Sequence, residues 1–123
     1  MNIELKESLV DLTKKELVMI ARAKTSVAID KFVDENPDDT IEVHNLVTLH
    51  VTNPEAEKQE DKDFLRYVVV SESGELYTTR SKAFAEELNL LINMMDGDLP
   101  LTIKPLKLTS SNSGMKYLSC ELV

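Results

Sequence analysis

The sequence predicts a mainly β domain in which five strands and one inserted helix surround a single core. Three features predict it. Apolar and polar residues alternate from Ile41 to Val51, as in a half-buried strand. Residues 68–80 read as strand, tight turn and strand, because β-branched residues precede Ser73-Gly74 and alternation resumes at Leu76. Residues 81–95 then show the apolar spacing of an amphipathic helix.

The N-terminal region begins with a strong helix signal. The Thr13 side chain is spaced to cap the amide of Glu16, while Glu16 can reach back to Thr13. Leu17 and Ile20 of this helix are expected to face inward. Residues 24–40 leave open whether a short strand forms there, and residues 35–39 carry a turn signal.

The strand at 41–51 is expected to present Ile41, Val43, Val47, Leu49 and Val51 on one face. Asn53-Pro54 ends it. Residues 55–63 form a charged connector without apolar anchors, which predicts a mobile solvent loop. Phe64 to Ser71 is the next strand.

The helix that follows the hairpin begins at Ser81 as N-cap and stops at Gly97, which can adopt left-handed geometry. A strand is expected from Leu99 to Leu108, with Pro105 at an edge or bulge because it has no amide proton to donate. The last strand spans Met115 to Val123.

This order of three strands, a helix and two strands is that of an OB-fold, a five-stranded and partly open barrel that often binds oligonucleotides or oligosaccharides. With 123 residues and 42% hydrophobic content, the chain supports one core. We therefore expect residues 41–123 to form the OB-fold domain and residues 1–40 to form an N-terminal helical extension packed on it.

Cysteine usage and hydropathy indicate the compartment. Cys120 is the single cysteine, and no apolar run follows the basic residues near the start as a secretory signal requires. No apolar stretch approaches the ~20 residues of a membrane span. We expect a protein of a reducing cytoplasm that does not associate with membranes.

The net charge of −8 opposes nucleic-acid binding when taken alone. The charge is unevenly distributed, however. Residues 1–63 hold 8 basic and 15 acidic residues, whereas residues 64–123 hold 6 and 7. The second part can therefore form a local basic track if folding gathers its cations on one face, and these are Arg66, Arg80, Lys82, Lys104, Lys107 and Lys116.

Catalytic and metal motifs are missing from the sequence. The three glycines are isolated, no Gly-x-Ser-x-Gly elbow occurs, and Cys120 reads as a small buried hydrophobe. His44 and His50 lie too far apart on one strand to chelate together without other ligands. We expect no enzyme activity, no cofactor and no metal.

Base stacking requires exposed aromatic rings, and the chain has no Trp. Tyr77 and Tyr117 alternate with polar neighbours, so they are the stacking candidates; the alternative is that each ring is buried with only its hydroxyl in water. Phe84 is expected in the core. The predicted nucleic-acid-binding residues are Arg66, Tyr77, Arg80, Lys82, Lys107, Lys116 and Tyr117.

Three blocks of the sequence stand out, namely residues 12–17 (LTKKEL), 74–84 (GELYTTRSKAF) and 110–120 (SSNSGMKYLSC). Together they resemble the small single-stranded DNA-binding proteins of Gram-positive phages and prophages. The resemblance implies an OB-fold protein that coats single-stranded DNA during phage replication, with little sequence preference and without catalysis or cofactor. The implied partners are single-stranded DNA and phage replication proteins. The sequence leaves open whether the N-terminal helix caps the barrel or forms a homodimer contact.

A different class of function stays open. The acidic residues of 1–63 could dock on a basic partner or mimic DNA, as in a phage accessory or anti-host factor. The salt dependence of binding separates the two classes, since DNA binding releases counterions.

Overall fold

A computed structural model describes all residues from Met1 to Val123. One sheet of seven strands carries three α-helices. The strands are β1 (Asn2–Ser8), β2 (Val27–Ala28), β3 (Ile41–Thr52), β4 (Asp63–Ser71), β5 (Leu76–Thr79), β6 (Leu101–Thr109) and β7 (Lys116–Leu122). The helices are α1 (Lys14–Ala21), α2 (Ile29–Glu35) and α3 (Lys82–Met94), and a short 3-10 helix spans Gln59–Asp61.

The sheet runs in the order β2-β5-β4-β3-β6-β7, and β1 also pairs with β3. Strand β3 pairs with β4 along one side. Its other side is divided, because residues 41–43 pair with β6 and residues 47–52 pair with β1. Only β2 and β5 are parallel. The result is a strongly curled sheet in the form of a half barrel.

The two faces of this sheet have separate apolar cores. The larger core joins α3, through Phe84 and Leu88, to strand residues such as Val69 and Ile103. The smaller core packs Ile20 of α1 against Val47, Leu49 and Val68. The centre of the sheet is thus covered on both faces.

The sequence predicted one apolar face for β3, but a β-bulge divides the apolar residues of this strand between the two faces of the sheet. The register shifts between Val43 and Asn45, where β3 pairs with β4. An extra residue reverses the alternation of side chains beyond it. Ile41 and Val43 therefore belong to the core under α3, whereas Val47 and Leu49 belong to the core under α1.

The local signals for helix and turn are confirmed. Thr13 Oγ1 accepts from the Glu16 amide at 3.1 Å and Glu16 Oε1 accepts from the Thr13 amide at 3.1 Å, which completes the capping box. Ser81 Oγ accepts from the Phe84 amide at 3.2 Å. Gly74 and Gly97 have φ of 82° and 75°, as the hairpin and the end of α3 require.

Several elements differ from the sequence expectation. The sheet has seven strands and not five, because β1 and β2 join it from the N-terminal region. Strand β1 was not predicted: most of its residues are exposed, so it lacks clear burial alternation and is held by hydrogen bonds to β3. Residues 24–40 contain both the two-residue β2 and the unpredicted α2.

The edge position predicted for Pro105 is confirmed, since β6 pairs with β3 only at residues 101–103 and Pro105 pairs with Cys120 alone. None of the three helices is long and apolar enough to cross a membrane.

Candidate nucleic-acid interface

One aromatic ring and two arginines meet at the N-terminal end of β4. The guanidinium carbon of Arg80 lies 3.7 Å from the centroid of the Phe64 ring, and that of Arg66 lies 5.9 Å from it. The strand geometry explains this. Phe64 and Arg66 are two residues apart and share one face of β4, while Tyr67 pairs with Thr79 and so brings Arg80 beside Arg66.

Three adjoining depressions surround this cluster. The first, of about 310 Å³, is lined by Phe64, Arg66 and Arg80 together with the acidic Asp30 and residues of β2 and β5. The second extends along the connector, which in the structure is the segment 53–62 between β3 and β4, and the third runs from Arg66 to Arg22 and Lys24 at the end of α1. Arg66 lines all three. We call this region the Phe64 groove, defined by Phe64, Arg66, Arg80, Arg22 and Lys24.

Acidic groups of the connector already contact the groove. Arg80 Nη1 donates to Asp61 Oδ1 at 2.9 Å, and Nη2 donates to the Glu60 carbonyl at 2.7 Å. The Arg80 and Asp61 side chains are both partly exposed. Two oxygen atoms thus bind the edge of the guanidinium while its plane covers Phe64, which is also how a phosphate oxygen would bind it.

Tyr77 does not have the exposure that the sequence suggested. Its residue exposure is 8%, and its ring meets Phe32 of α2 edge to face, with centroids 5.3 Å apart. The hydroxyl donates to Glu75 Oε2 at 3.0 Å, and burial, followed by this bond, raises the pKa of Tyr77. The prediction of an exposed stacking ring is wrong here, because α2 covers the face of β5 that carries Tyr77; the alternative reading, a buried ring, is correct.

The other predicted residues lie elsewhere. Tyr117 is 41% exposed, as expected, and lines a depression with Leu90, Leu106 and Leu108. Lys116 is exposed at the start of the same strand, β7. Strands β6 and β7 lie across β3 from β4 and β5, so these residues are not assembled with Phe64.

Most of the predicted lysines are paired with acids. Lys107 Nζ donates to both carboxylate oxygens of Asp34, at 2.9 and 3.1 Å. Lys82 Nζ lies 3.7 Å from Glu86 Oε1 on α3, and Lys104 Nζ lies 3.8 Å from Asp38 Oδ1. The structure therefore brings Arg66 and Arg80 together but does not assemble one continuous basic track from all the cations after position 63.

A second polar cluster joins β3 to the turn after β4. One potential metal-ligand atom from each of Glu42, His44 and Glu72 lies within 4.8 Å of the other two. The Glu72 carboxylate beside Glu42 favours a protonated Glu42 that donates a hydrogen bond to it, and this is the main cause that raises the pKa of Glu42. His50, the other histidine, lies apart from this cluster, with Nε2 2.6 Å from Asp63 Oδ1.

Sequence reasoning missed Phe64, Arg22 and Lys24 in the groove and Glu72 in the second cluster. The signal for Phe64 was present, since an aromatic residue and an arginine two positions apart share a strand face. No comparable signal marks Arg22 and Lys24, which lie in the acidic part of the chain.

Comparison of the chain with protein-family models, with curated protein sequences and with solved structures gives no match.

Proposed function

We propose that this protein binds single-stranded DNA along β4 and β5, with a base stacking in the Phe64 groove and phosphates bound by Arg66 and Arg80. The observation that carries the proposal is the arrangement of Phe64 with the two arginines on a partly exposed strand end. Single-stranded nucleic acid is bound by this combination of a cationic track and an aromatic platform. Arg22 and Lys24 extend the cationic track past Arg66.

The strand order supports the location. Strands β3 to β7, with α3 between β5 and β6, follow the order of an OB-fold. In that comparison β4 and β5 are strands 2 and 3, and the connector at 53–62 is the loop between strands 1 and 2. OB-folds bind oligonucleotides on those strands and beside that loop. The resemblance of three sequence blocks to phage single-stranded DNA-binding proteins favours the same function, in coating DNA during phage replication.

The acidic connector must release Arg80 when DNA binds. Exposed ion pairs contribute about 0–1 kcal/mol, whereas one stacked base contributes about 1–3 kcal/mol. Stacking of a single base therefore outweighs the loss of the contact between Asp61 and Arg80. The net charge of −8 weakens long-range attraction to DNA, so we expect stacking to carry a large share of the affinity.

The test is fluorescence anisotropy of a labelled oligo-dT over a salt series, with duplex DNA and oligo-rU as competitors. Replacing Phe64 with Ala should weaken binding roughly 5- to 150-fold, the loss of one stacked base. Arg80→Gln should reduce the slope of log K against log salt, where K is the association constant for DNA, by about 0.7. This is the value for the counterions released when one phosphate of a single strand is neutralised. Both variants should keep their far-UV circular dichroism.

Tyr117→Ala and Lys116→Gln are the matched controls, because they remove an exposed aromatic ring and an exposed cation outside the groove. Both should bind as the parent protein does. Loss of affinity in Tyr117→Ala with none in Phe64→Ala would move the site to β6 and β7. Absence of binding by the folded parent at low salt would refute the function itself.

A second candidate is an acidic module that binds a basic protein partner. It is favoured by the depression beside Tyr117, where apolar Leu90, Leu106 and Leu108 are bordered by Glu86, Glu87 and Glu121. A peptide with an apolar side chain flanked by Lys or Arg would fit that chemistry. Retention of a defined basic protein that Tyr117→Ala no longer binds, without retention of oligo-dT, would favour this candidate.

A further inference from the structure

The cluster of Glu42, His44 and Glu72 arises where β3 meets the turn after β4. Glu42 and His44 are two residues apart in β3, and Val43 between them pairs with Ser71, the residue before Glu72. Two carboxyl groups and one imidazole therefore converge from two chain segments, each offering an atom within 4.8 Å of the other two.

One imidazole nitrogen of this cluster has no hydrogen-bond partner. The Nε2 atom of His44 is buried and makes no hydrogen bond, although 38% of the side chain is exposed. The nearest carboxylate oxygen, Glu42 Oε1, is 3.8 Å away, too far for a hydrogen bond. A buried polar atom without a partner is uncommon in folded proteins and calls for a ligand or a functional explanation.

We propose that Glu42, His44 and Glu72 form a binding site for one divalent transition-metal ion of the Zn²⁺ class. The ion would bond the lone pair of His44 Nε2 and one oxygen of each glutamate. It would thereby give the unpartnered nitrogen a partner and place a positive charge between two acidic side chains.

The distances fit such an ion after small side-chain movements. Zinc binds imidazole nitrogen and carboxylate oxygen at about 2.0–2.2 Å, so neighbouring ligand atoms of a tetrahedral site lie about 3.4 Å apart. The separation of 3.8 Å between His44 Nε2 and Glu42 Oε1 needs a contraction of only a few tenths of an ångström. Glu72 is exposed in a turn, so its side chain is free to complete the contraction.

The donor set selects among metals. Ca²⁺ and Mg²⁺ prefer sites made of oxygen alone, whereas an imidazole combined with carboxylates suits Zn²⁺ and its neighbours in the first transition row. Three protein ligands leave at least one position for water. Because the ligands come from β3 and from the turn between β4 and β5, the ion would also link these two segments and stabilise the folded chain.

The test is calorimetric titration of the full-length protein with ZnCl₂ in a buffer that does not chelate metal. We expect one ion per chain and a rise in the thermal midpoint with added zinc. His44→Gln and Glu72→Gln should each weaken binding about tenfold or more, since loss even of groups that only support a ligand costs 10- to 100-fold. His50→Gln is the matched control and should bind zinc as the parent does.

A spectroscopic readout locates the ion directly. Zinc should shift and broaden the imidazole proton signals of His44 in NMR spectra and leave those of His50 unchanged. Co²⁺ in place of zinc should give visible absorption bands that disappear in His44→Gln. Weak binding of several ions with no selective loss in the two ligand variants, or loss of binding in His50→Gln alone, would overturn the proposal. Since Glu72 lies in an exposed turn, Glu72→Gln keeps the test valid if His44→Gln unfolds.

Discussion

Arg80 covers the ring of Phe64 at 3.7 Å and at the same time donates two hydrogen bonds to the connector at residues 60–61. One guanidinium thus uses its plane for an aromatic contact and its edge for oxygen acceptors. A nucleotide offers both chemistries, a base to stack and a phosphate to accept. A base can replace Arg80 on the ring or stack on the guanidinium itself, because both planes accept such contacts.

The contact between Asp61 and Arg80 should compete with DNA. Asp61→Asn is expected to increase the affinity for oligo-dT by up to about fivefold, because an exposed ion pair contributes no more than about 1 kcal/mol. Glu55→Gln is the control: it removes one negative charge from the same connector, and Glu55 makes no ion pair with Arg80. Anisotropy at low and moderate salt measures both.

Equal gains in Asp61→Asn and Glu55→Gln would show that only the net charge of the connector matters. No gain in either would show that the connector does not oppose DNA at all.

Tyr77 should contribute to stability and not to DNA binding. Tyr77→Leu keeps an apolar side chain but loses the edge-to-face contact with Phe32 and part of the ring volume, so unfolding in urea should become easier by about 2 kcal/mol. The affinity of the folded variant for oligo-dT should not change. A fivefold or larger loss of affinity for oligo-dT, at a temperature where the variant is fully folded, would show that Tyr77 does contribute to the binding site.

The thiol of Cys120 should be unreactive in the native protein. Burial, with a smaller contribution from Glu87, raises the pKa of Cys120 from 9.0 to about 12. A raised pKa keeps the proton on sulfur at pH 8, and the thiolate is the reactive form, so labelling by a disulfide reagent should be about a thousandfold slower than for a free thiol. In guanidinium chloride the same residue should react at once.

The raised pKa of Cys120 also makes the free energy of unfolding depend on pH. The protonated thiol favours the folded state fully below pH 9, and this contribution is lost progressively as the pH rises from 9 toward 12, where the unfolded chain ionises first. Rapid stoichiometric labelling of the native protein at pH 8 would contradict the buried position of Cys120.

Elements defined by short-range interactions could be predicted from the sequence. The capping box of Thr13 and Glu16 acts within one helical turn, and the hairpin at Gly74 depends on one residue with positive φ. The long strand β3 and helix α3 follow from alternation and amphipathic spacing. Each of these signals is complete within a few neighbouring residues.

The orientation of side chains was harder to predict, because it depends on distant partners. The bulge at Val43 to Asn45 reversed the faces of β3. Helix α2 buried Tyr77 although Glu75 and Thr79, the residues two positions away on either side, are polar. Strand β1 forms by pairing with β3, whose partner residues are 39 (Ser8 to Val47) to 50 (Asn2 to Thr52) positions away in the chain, and its own residues show little periodicity.

By itself, the sequence determined a mainly β chain with a helix inserted between strands, one cysteine and an acidic charge concentrated in its first part. Only the tertiary structure decided that Phe64 stacks with Arg80, that the connector binds that arginine, and that Glu72 joins Glu42 and His44. The physical reason is the range of the interactions. Hydrogen-bonded turns and side-chain periodicity are local, whereas a site requires atoms from separate strands within a few ångströms, and strand register and curl set those distances.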